Sequence, residues 1–328
     1  MTDSQVPSAP QPPVPQFRMR GALWLYFLIT VASFALILLL VTNVETPLLR
    51  MLAALFMVGG FSICAMIITG TRPEQFIGRR PRLFQLGLGL IIGVALWLPA
   101  WWLIIVPYTT LNTLIGALPL SGLTSSADRI ALLIQFGIVV PLLHSFLFLG
   151  IIYRAAVGWK QLTGVLIVAT LYGLFSLFSA EFGFSGIVAY FVIGFVAALS
   201  VYFTQSMWVG AMVLVGFSIV RPLIGQAELG AKLQTFLFPV ELTPDAALFG
   251  GRFLLLVLIG TFIAFLCLQG LRLSVEKDAE PVPFPASKPG RWWWIPLLLV
   301  LILVIIIGWG EIGLRLGTPS FSNGLITP

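Results

Sequence analysis

The chain has 328 residues, of which 59% are hydrophobic and 9% charged, and it carries a net charge of +6 at pH 7. A soluble globular domain carries about 25% charged residues, so this chain has too few to cover a water-facing surface. Its apolar runs are long and continuous rather than alternating at every second residue, which excludes a membrane β-barrel. The composition therefore predicts an all-α, polytopic membrane protein.

The first segment, residues 1–17, is polar and rich in proline. It lacks the basic start and the cleavage site of a signal peptide, so we expect a disordered tail on the cytoplasmic side.

Nine apolar runs then follow that are long enough to cross about 30 Å of hydrocarbon. They are residues 21–42, 51–70, 83–107, 130–153, 161–180, 185–204, 205–224, 250–271 and 293–310. The sixth and seventh runs abut at residues 204–206, which predicts a tight hairpin. Residues 108–129 are broken by Pro119 and predict an interfacial helix, whereas the charged, Pro-rich residues 272–291 predict a linker.

The basic residues predict the orientation of the chain in the membrane. With the N-terminus inside, twelve of the eighteen Lys and Arg residues fall in inner segments and six in outer ones. Cytoplasmic segments carry the excess of positive charge, so we expect the N-terminus inside, the C-terminus outside, and residues 71–82 and 272–291 in the cytoplasm. We expect a protein of the cytoplasmic (plasma) membrane. The positive net charge is a topology signal, and we expect no nucleic-acid partner.

Cys64 and Cys267 lie in apolar runs far apart in the sequence. We expect two buried small hydrophobic side chains without a disulfide. The triplet 292–294, three tryptophans at the start of the last run, is typical of an aromatic anchor at the membrane interface.

The segment from Pro141 to Tyr153 reads PLLHSFLFLGIIY and contains the only histidine of the chain, His144. It resembles the signature helix of the CPBP family of intramembrane proteases (the CAAX-protease and bacteriocin-processing, Abi-type enzymes), P-x-x-E-E-x-x-F-R-G-x-x-Y. Phe148 and Gly150 also keep their family positions. The resemblance implies a CPBP-like four-helix core over residues 130–224, between N-terminal helices (18–129) and C-terminal helices (225–328).

The positions that would carry the family's chemistry are substituted. Tyr172 stands at the aromatic position of the second motif, F-x-x-x-H. The substituted positions are His144 and Ser145 for the two glutamates, Leu149 for the arginine, Ser176 for the histidine, and Leu214 and Ser218 for the later H-x-x-x-N pair.

The family's mechanism uses glutamate and histidine side chains to hold and activate a water molecule. A metal needs about three ligands from His, Cys, Asp or Glu, and a general base must accept a proton. No Asp or Glu lies in the interior of a predicted span. Intramembrane charges usually persist because function needs them, so their absence implies a degenerate member with no catalytic residue, metal or cofactor.

Three interpretations of His144 stay open. The imidazole is a neutral, buried group that hydrogen-bonds a neighbouring helix, a ligand for a molecule in the vacated cavity, or a catalytic base. Tyr172, Ser176 and Ser218 are the candidate partners, and His144 should converge with both serines.

A second motif, Gly183-Phe184-Ser185-Gly186, matches the G-x-S-G of rhomboid serine proteases. A serine nucleophile needs a base within hydrogen-bond reach, and no histidine follows Ser185 in this chain. A turn that begins a helix explains the motif better.

The resulting hypothesis is a non-catalytic CPBP-like membrane protein. In the bilayer it would bind another membrane protein, a peptide or a lipid-like ligand in the former substrate cavity. The role of an accessory subunit in a larger membrane assembly is consistent with this hypothesis. One alternative is an intramembrane peptidase with an active site rewired around His144. The other alternative is a small-molecule transporter. The sequence argues against it, because it contains no intramembrane acid and no inverted repeat.

Overall fold

A computed structural model of the chain describes residues 18–43, 55–69, 76–110, 130, 133–157, 161–176, 186–224, 251–275 and 292–317. Within these ranges every regular element is a helix, and the one β-type contact is an isolated bridge between Gly78 and Ser206. The all-α class is therefore confirmed. The predicted tail (1–17), nearly all of the predicted interfacial segment and most of the predicted linker lie outside the described residues.

The described helices follow the predicted apolar runs in order. We number them α1 (Met19–Asn43), α2 (Leu55–Gly60 and Phe61–Thr69), α3 (Leu83–Thr110), α4 (Gln135–Val139, Val140–Ser145, Phe146–Ile152 and Tyr153–Val157), α5 (Gln161–Phe175), α6 (Gly186–Thr204), α7 (Met207–Ile224), α8 (Gly251–Leu273) and α9 (Ile295–Gly317).

Four of these helices contain an apolar stretch that is long enough to cross a membrane: Leu83–Leu103, Gln135–Ala156, Gly186–Thr204 and Phe253–Leu273. The described parts of the other five contain shorter apolar stretches. These lengths and compositions are compatible with an integral membrane protein.

The helices α3 and α7 pack closely through glycine. A Cβ at Gly89 would lie 2.7 Å from the carbonyl oxygen of Val209, and one at Gly93 would overlap the carbonyl oxygen of Val213. Small residues let helix backbones approach, which is how membrane helices gain packing contacts. On α8, a Cβ at Gly260 would lie 2.5 Å from the carbonyl oxygen of Ala95 on α3. Helix α3 is therefore packed closely against both α7 and α8.

The predicted hairpin at residues 204–206 is present. Helix α6 ends at Thr204, Gln205 adopts a left-handed conformation (φ 55°), and α7 begins at Met207. A left-handed residue reverses the chain within very few residues, which is why the two apolar runs can abut.

The prediction of burial is wrong for Cys64. Its side chain is exposed on α2, whereas Cys267 is partly buried on α8, and both thiols are free. An exposed apolar side chain on a membrane helix can face hydrocarbon, so an apolar run does not by itself predict burial.

Candidate functional site

Helix α4 carries His144 between two wider, π-helical stretches, Gln135–Val139 and Phe146–Ile152. The N–H of Val140 donates to the carbonyl oxygen of Gln135, five residues earlier. The N–H of Tyr153 donates in the same way to Phe148. Such bulges are rare inside α-helices and are frequent at functional sites. The helix that resembles a protease signature therefore has an irregular backbone on both sides of its histidine.

The imidazole of His144 lies among aromatic rings. Its centroid is 5.2 Å from that of Phe175, 6.0 Å from that of Tyr172 and 6.2 Å from that of Phe148, with near-perpendicular ring planes. Edge-to-face pairs of this kind are favourable. Within the described ranges no hydroxyl or carbonyl group is hydrogen-bonded to the imidazole.

These contacts extend into a row of rings across four helices, which we call the aromatic chain: His144 on α4, Tyr172 on α5, Tyr190 on α6 and Phe217 on α7. The centroids of Tyr172 and Tyr190 are 5.4 Å apart, and those of Tyr190 and Phe217 are 6.1 Å apart. The aromatic chain therefore links α4, α5, α6 and α7 by ring contacts.

Helix α1 closes the other side of this region through Tyr26. Its hydroxyl donates to the carbonyl oxygen of Leu171 at 2.9 Å, and its ring lies 5.8 Å from that of Phe148. Since Tyr26 is fully buried, α1 belongs to the packing around the site.

Four of the six substituted motif positions are buried, and the two serines among them are hydrogen-bonded to their own helix. The hydroxyl of Ser145 donates to the carbonyl oxygen of Pro141 at 2.6 Å, and that of Ser176 donates to Gly173 at 2.7 Å. Leu149 and Leu214 are buried. Serine often bonds to its own helix in this way, which satisfies a hydroxyl that would be costly to leave unpaired in an apolar interior.

Two predicted site residues differ from the rest. His144 and Ser218 are partly exposed, whereas Tyr172 and Ser176 are buried. The hydroxyl of Ser218, like the imidazole, has no hydrogen-bond partner among the described residues. The structure thus brings His144 against Tyr172 directly, and it places Ser176 beside Phe175, which contacts the imidazole. The convergence of His144 with both serines stays a prediction.

The described residues contain no group of three or more His, Cys, Asp and Glu side chains that could hold a metal ion. In the G-x-S-G motif, Gly186 is the first residue of α6, and the other three residues lie outside the described ranges.

A polar junction around Arg154 was not predicted from the sequence, in which this arginine is a topology signal. Arg154 is 9% exposed, and its Nη2 donates to the carbonyl oxygen of Gln205 at 2.9 Å. The backbone N–H of Arg79 donates to the same oxygen at 3.0 Å. Gly78 has φ +75°, and a Cβ added at this position would overlap Nη2 of Arg154 and the carbonyl oxygen of Gln205. The only sequence signal was an arginine directly after the predicted apolar run 130–153.

The aromatic chain was missed in part as well. Tyr172 was expected near His144 on the basis of the family motif, but nothing in the sequence singled out Tyr190 or Phe217.

No family model, no curated protein and no solved structure matches this chain.

Proposed function

We propose that this chain is a non-catalytic, CPBP-like integral membrane protein that binds an apolar ligand at His144 and Ser218. The ligand would be a membrane peptide, a lipid-like molecule or a helix of another membrane protein, with a hydrogen-bonding group in its apolar body. The proposal extends the resemblance of residues 130–220 to the CPBP family.

One observation carries the proposal. Of the six substituted motif positions, His144 and Ser218 alone are partly exposed, and their polar atoms have no hydrogen-bond partner among the described residues. A polar group without a partner is costly in an apolar setting, so a ligand that hydrogen-bonds to these two groups would be favoured there.

The packing of the two helices supports a shared binding face. An ideal Cβ at Gly137 on α4 lies 3.1 Å from Cγ1 of Ile219 on α7, one residue beyond Ser218. His144 lies seven residues after Gly137, or two turns along the same helix. A ligand that lies along the contact between α4 and α7 could therefore reach both polar groups.

The chemistry of the site argues against hydrolysis. Attack on an amide needs a base, a nucleophile and stabilisation of the developing oxyanion. The hydroxyls of Ser145 and Ser176 donate to backbone carbonyls rather than to the imidazole. The sequence has one histidine, and no carboxylate lies in the interior of a predicted span to support it.

The alternative is a peptidase rewired around His144. The partial exposure of residue His144 favours it, because a general base must be reached by its substrate. In that case Ser218 or a bound water would be the nucleophile, and cleavage products would be the evidence.

The binding proposal is tested by native mass spectrometry of gently purified protein. We expect wild-type protein to retain a discrete small molecule or peptide. The double variant His144→Phe/Ser218→Ala should retain roughly tenfold less, because two hydrogen bonds in a membrane protein are worth about 1–2 kcal/mol together.

The matched control is Thr261→Val on α8. Thr261 is exposed and its hydroxyl already donates to the carbonyl oxygen of Val257 at 2.8 Å, so its removal should leave retention unchanged. Equal retention by wild type and the double variant, or no retained species at all, would overturn the proposal.

A further inference from the structure

The beginning of α3 and the end of α8 are tied together at one edge of the helix bundle. Nε2 of Gln85 donates to the hydroxyl of Ser274 at 2.9 Å, and that hydroxyl donates to the carbonyl oxygen of Leu271 at 2.7 Å. The other end of the Gln85 amide accepts the backbone N–H of Arg82 at 3.0 Å. Two segments far apart in the sequence thus present their ends at the same level.

This edge is strongly basic. We call it the basic edge and define it by four exposed arginines: Arg79, Arg80, Arg82 and Arg272. Residues 71–82 carry four arginines and one glutamate, so the local charge is positive (four minus one, +3). The bond from the N–H of Arg79 to Gln205 fixes the backbone of this run against the α6–α7 hairpin.

Exposed apolar side chains lie directly beside the arginines. Leu83, the residue after Arg82, is 87% exposed, and Leu273, the residue after Arg272, is 83% exposed. Phe84 is 49% exposed on the same turn of α3. Charge and apolar surface therefore adjoin at the beginning of α3 and again at the end of α8. A small soluble anion would use only the charge, whereas an amphiphile would use both.

We propose that the basic edge binds the phosphate head group of an anionic phospholipid. The guanidinium groups of Arg82 and Arg272 contact phosphate oxygens, and the acyl chains lie on the exposed apolar surface that starts at Leu83 and Leu273. Guanidinium groups match phosphate oxygens in charge and geometry. The dipole of α3 adds a partial positive charge at the N-terminus of that helix.

This site is separate from the one proposed at His144 and Ser218, because it is formed by α3 and α8 rather than by α4 and α7. It also does not depend on which side of the membrane the edge faces. Each juxtamembrane Lys or Arg residue increases the affinity for anionic lipids about fivefold.

The proposal is tested on the full-length protein by native mass spectrometry with added phosphatidylglycerol or phosphatidylcholine. We expect wild-type protein to retain phosphatidylglycerol in preference to phosphatidylcholine. The variant Arg82→Gln/Arg272→Gln should retain roughly 25-fold less phosphatidylglycerol, which is about fivefold for each arginine. The variant Arg82→Lys/Arg272→Lys keeps the charge and should lose far less.

The matched control is Arg20→Gln, which removes an exposed arginine at the beginning of α1. It should leave retention unchanged. An equal loss in this control would show that net charge alone attracts the lipid and would overturn the proposal. So would equal retention of the two lipids, or no loss in the double glutamine variant when its melting temperature matches that of wild type.

A competition experiment distinguishes a lipid-binding site from a site for a free anion. Inorganic phosphate at millimolar concentration should not displace bound phosphatidylglycerol, because it lacks the apolar part. Displacement by inorganic phosphate would identify a free-anion site and would contradict the lipid proposal.

Discussion

Two buried tyrosines of this protein differ in the hydrogen bonding of their hydroxyl groups. Tyr26 and Tyr153 are both fully buried. The hydroxyl of Tyr26 donates to Leu171, whereas that of Tyr153 has no hydrogen-bond partner among the described residues. Two side chains of the same type and burial thus differ in whether the hydroxyl is hydrogen-bonded, which makes them a natural pair for mutation to phenylalanine.

We expect Tyr26→Phe to lower the free energy of unfolding by about 1 kcal/mol, since it removes a buried hydrogen bond between α1 and α5. Tyr153→Phe should be neutral or slightly stabilising, because it removes a polar atom without a partner. Thermal unfolding of both variants in one detergent provides the measurement. A larger loss for Tyr153→Phe than for Tyr26→Phe would be inconsistent with these contacts.

The residue scale is also where sequence reasoning was weakest. The contact between His144 and Tyr172 was expected because both positions resemble motif positions of the CPBP family. The junction of Arg154, Gln205 and Gly78 was not, because an arginine at the end of an apolar run is an ordinary topology signal. Its buried bond to a hairpin carbonyl depends on three-dimensional packing, which no local pattern encodes.

At the scale of helices, hydropathy predicted where each described helix lies and where α6 meets α7. It did not predict which side of a helix faces its neighbours. An amphipathic helix shows its buried side as an apolar stripe, but a membrane helix is apolar all around. The faces are set instead by small residues such as Gly89 and Gly93, which let α3 approach α7.

The substitution Gly93→Ala should destabilise the protein by about 1–3 kcal/mol, the range for overpacking a close contact. The added Cβ would overlap the carbonyl oxygen of Val213 and lie 2.6 Å from the N of Phe217. The control is Gly87→Ala on the same helix, where no atom lies within 4 Å of the added Cβ. It should be neutral or stabilising by up to about 1 kcal/mol, because alanine favours helix.

Melting temperatures measured by size-exclusion chromatography after heating would compare the two glycine variants. Equal behaviour of Gly93→Ala and Gly87→Ala would contradict the close approach of α3 and α7.

At the scale of the whole molecule, we propose that the N-terminus and residues 71–82 and 272–291 lie in the cytoplasm. In a background without Cys64 and Cys267, the substitutions Arg80→Cys and Ser287→Cys should resist a membrane-impermeant maleimide in intact cells and react after lysis. Arg80 is exposed, so its side chain is open to the reagent once the membrane is broken. Labelling of both positions in intact cells would reverse the proposed orientation.

The central claim, which we propose, is that residues 130–224 form a CPBP-like core that binds a ligand and does not cleave peptides. The test is a cleavage assay on purified protein in proteoliposomes with a set of membrane-embedded peptides, with products identified by mass spectrometry. Wild type and His144→Gln, which keeps a hydrogen-bonding side chain of similar size, should both give no products above those of empty liposomes. Cleavage by the wild type that His144→Gln abolishes, at equal expression and equal melting temperature, would contradict the claim and establish a peptidase rewired around His144.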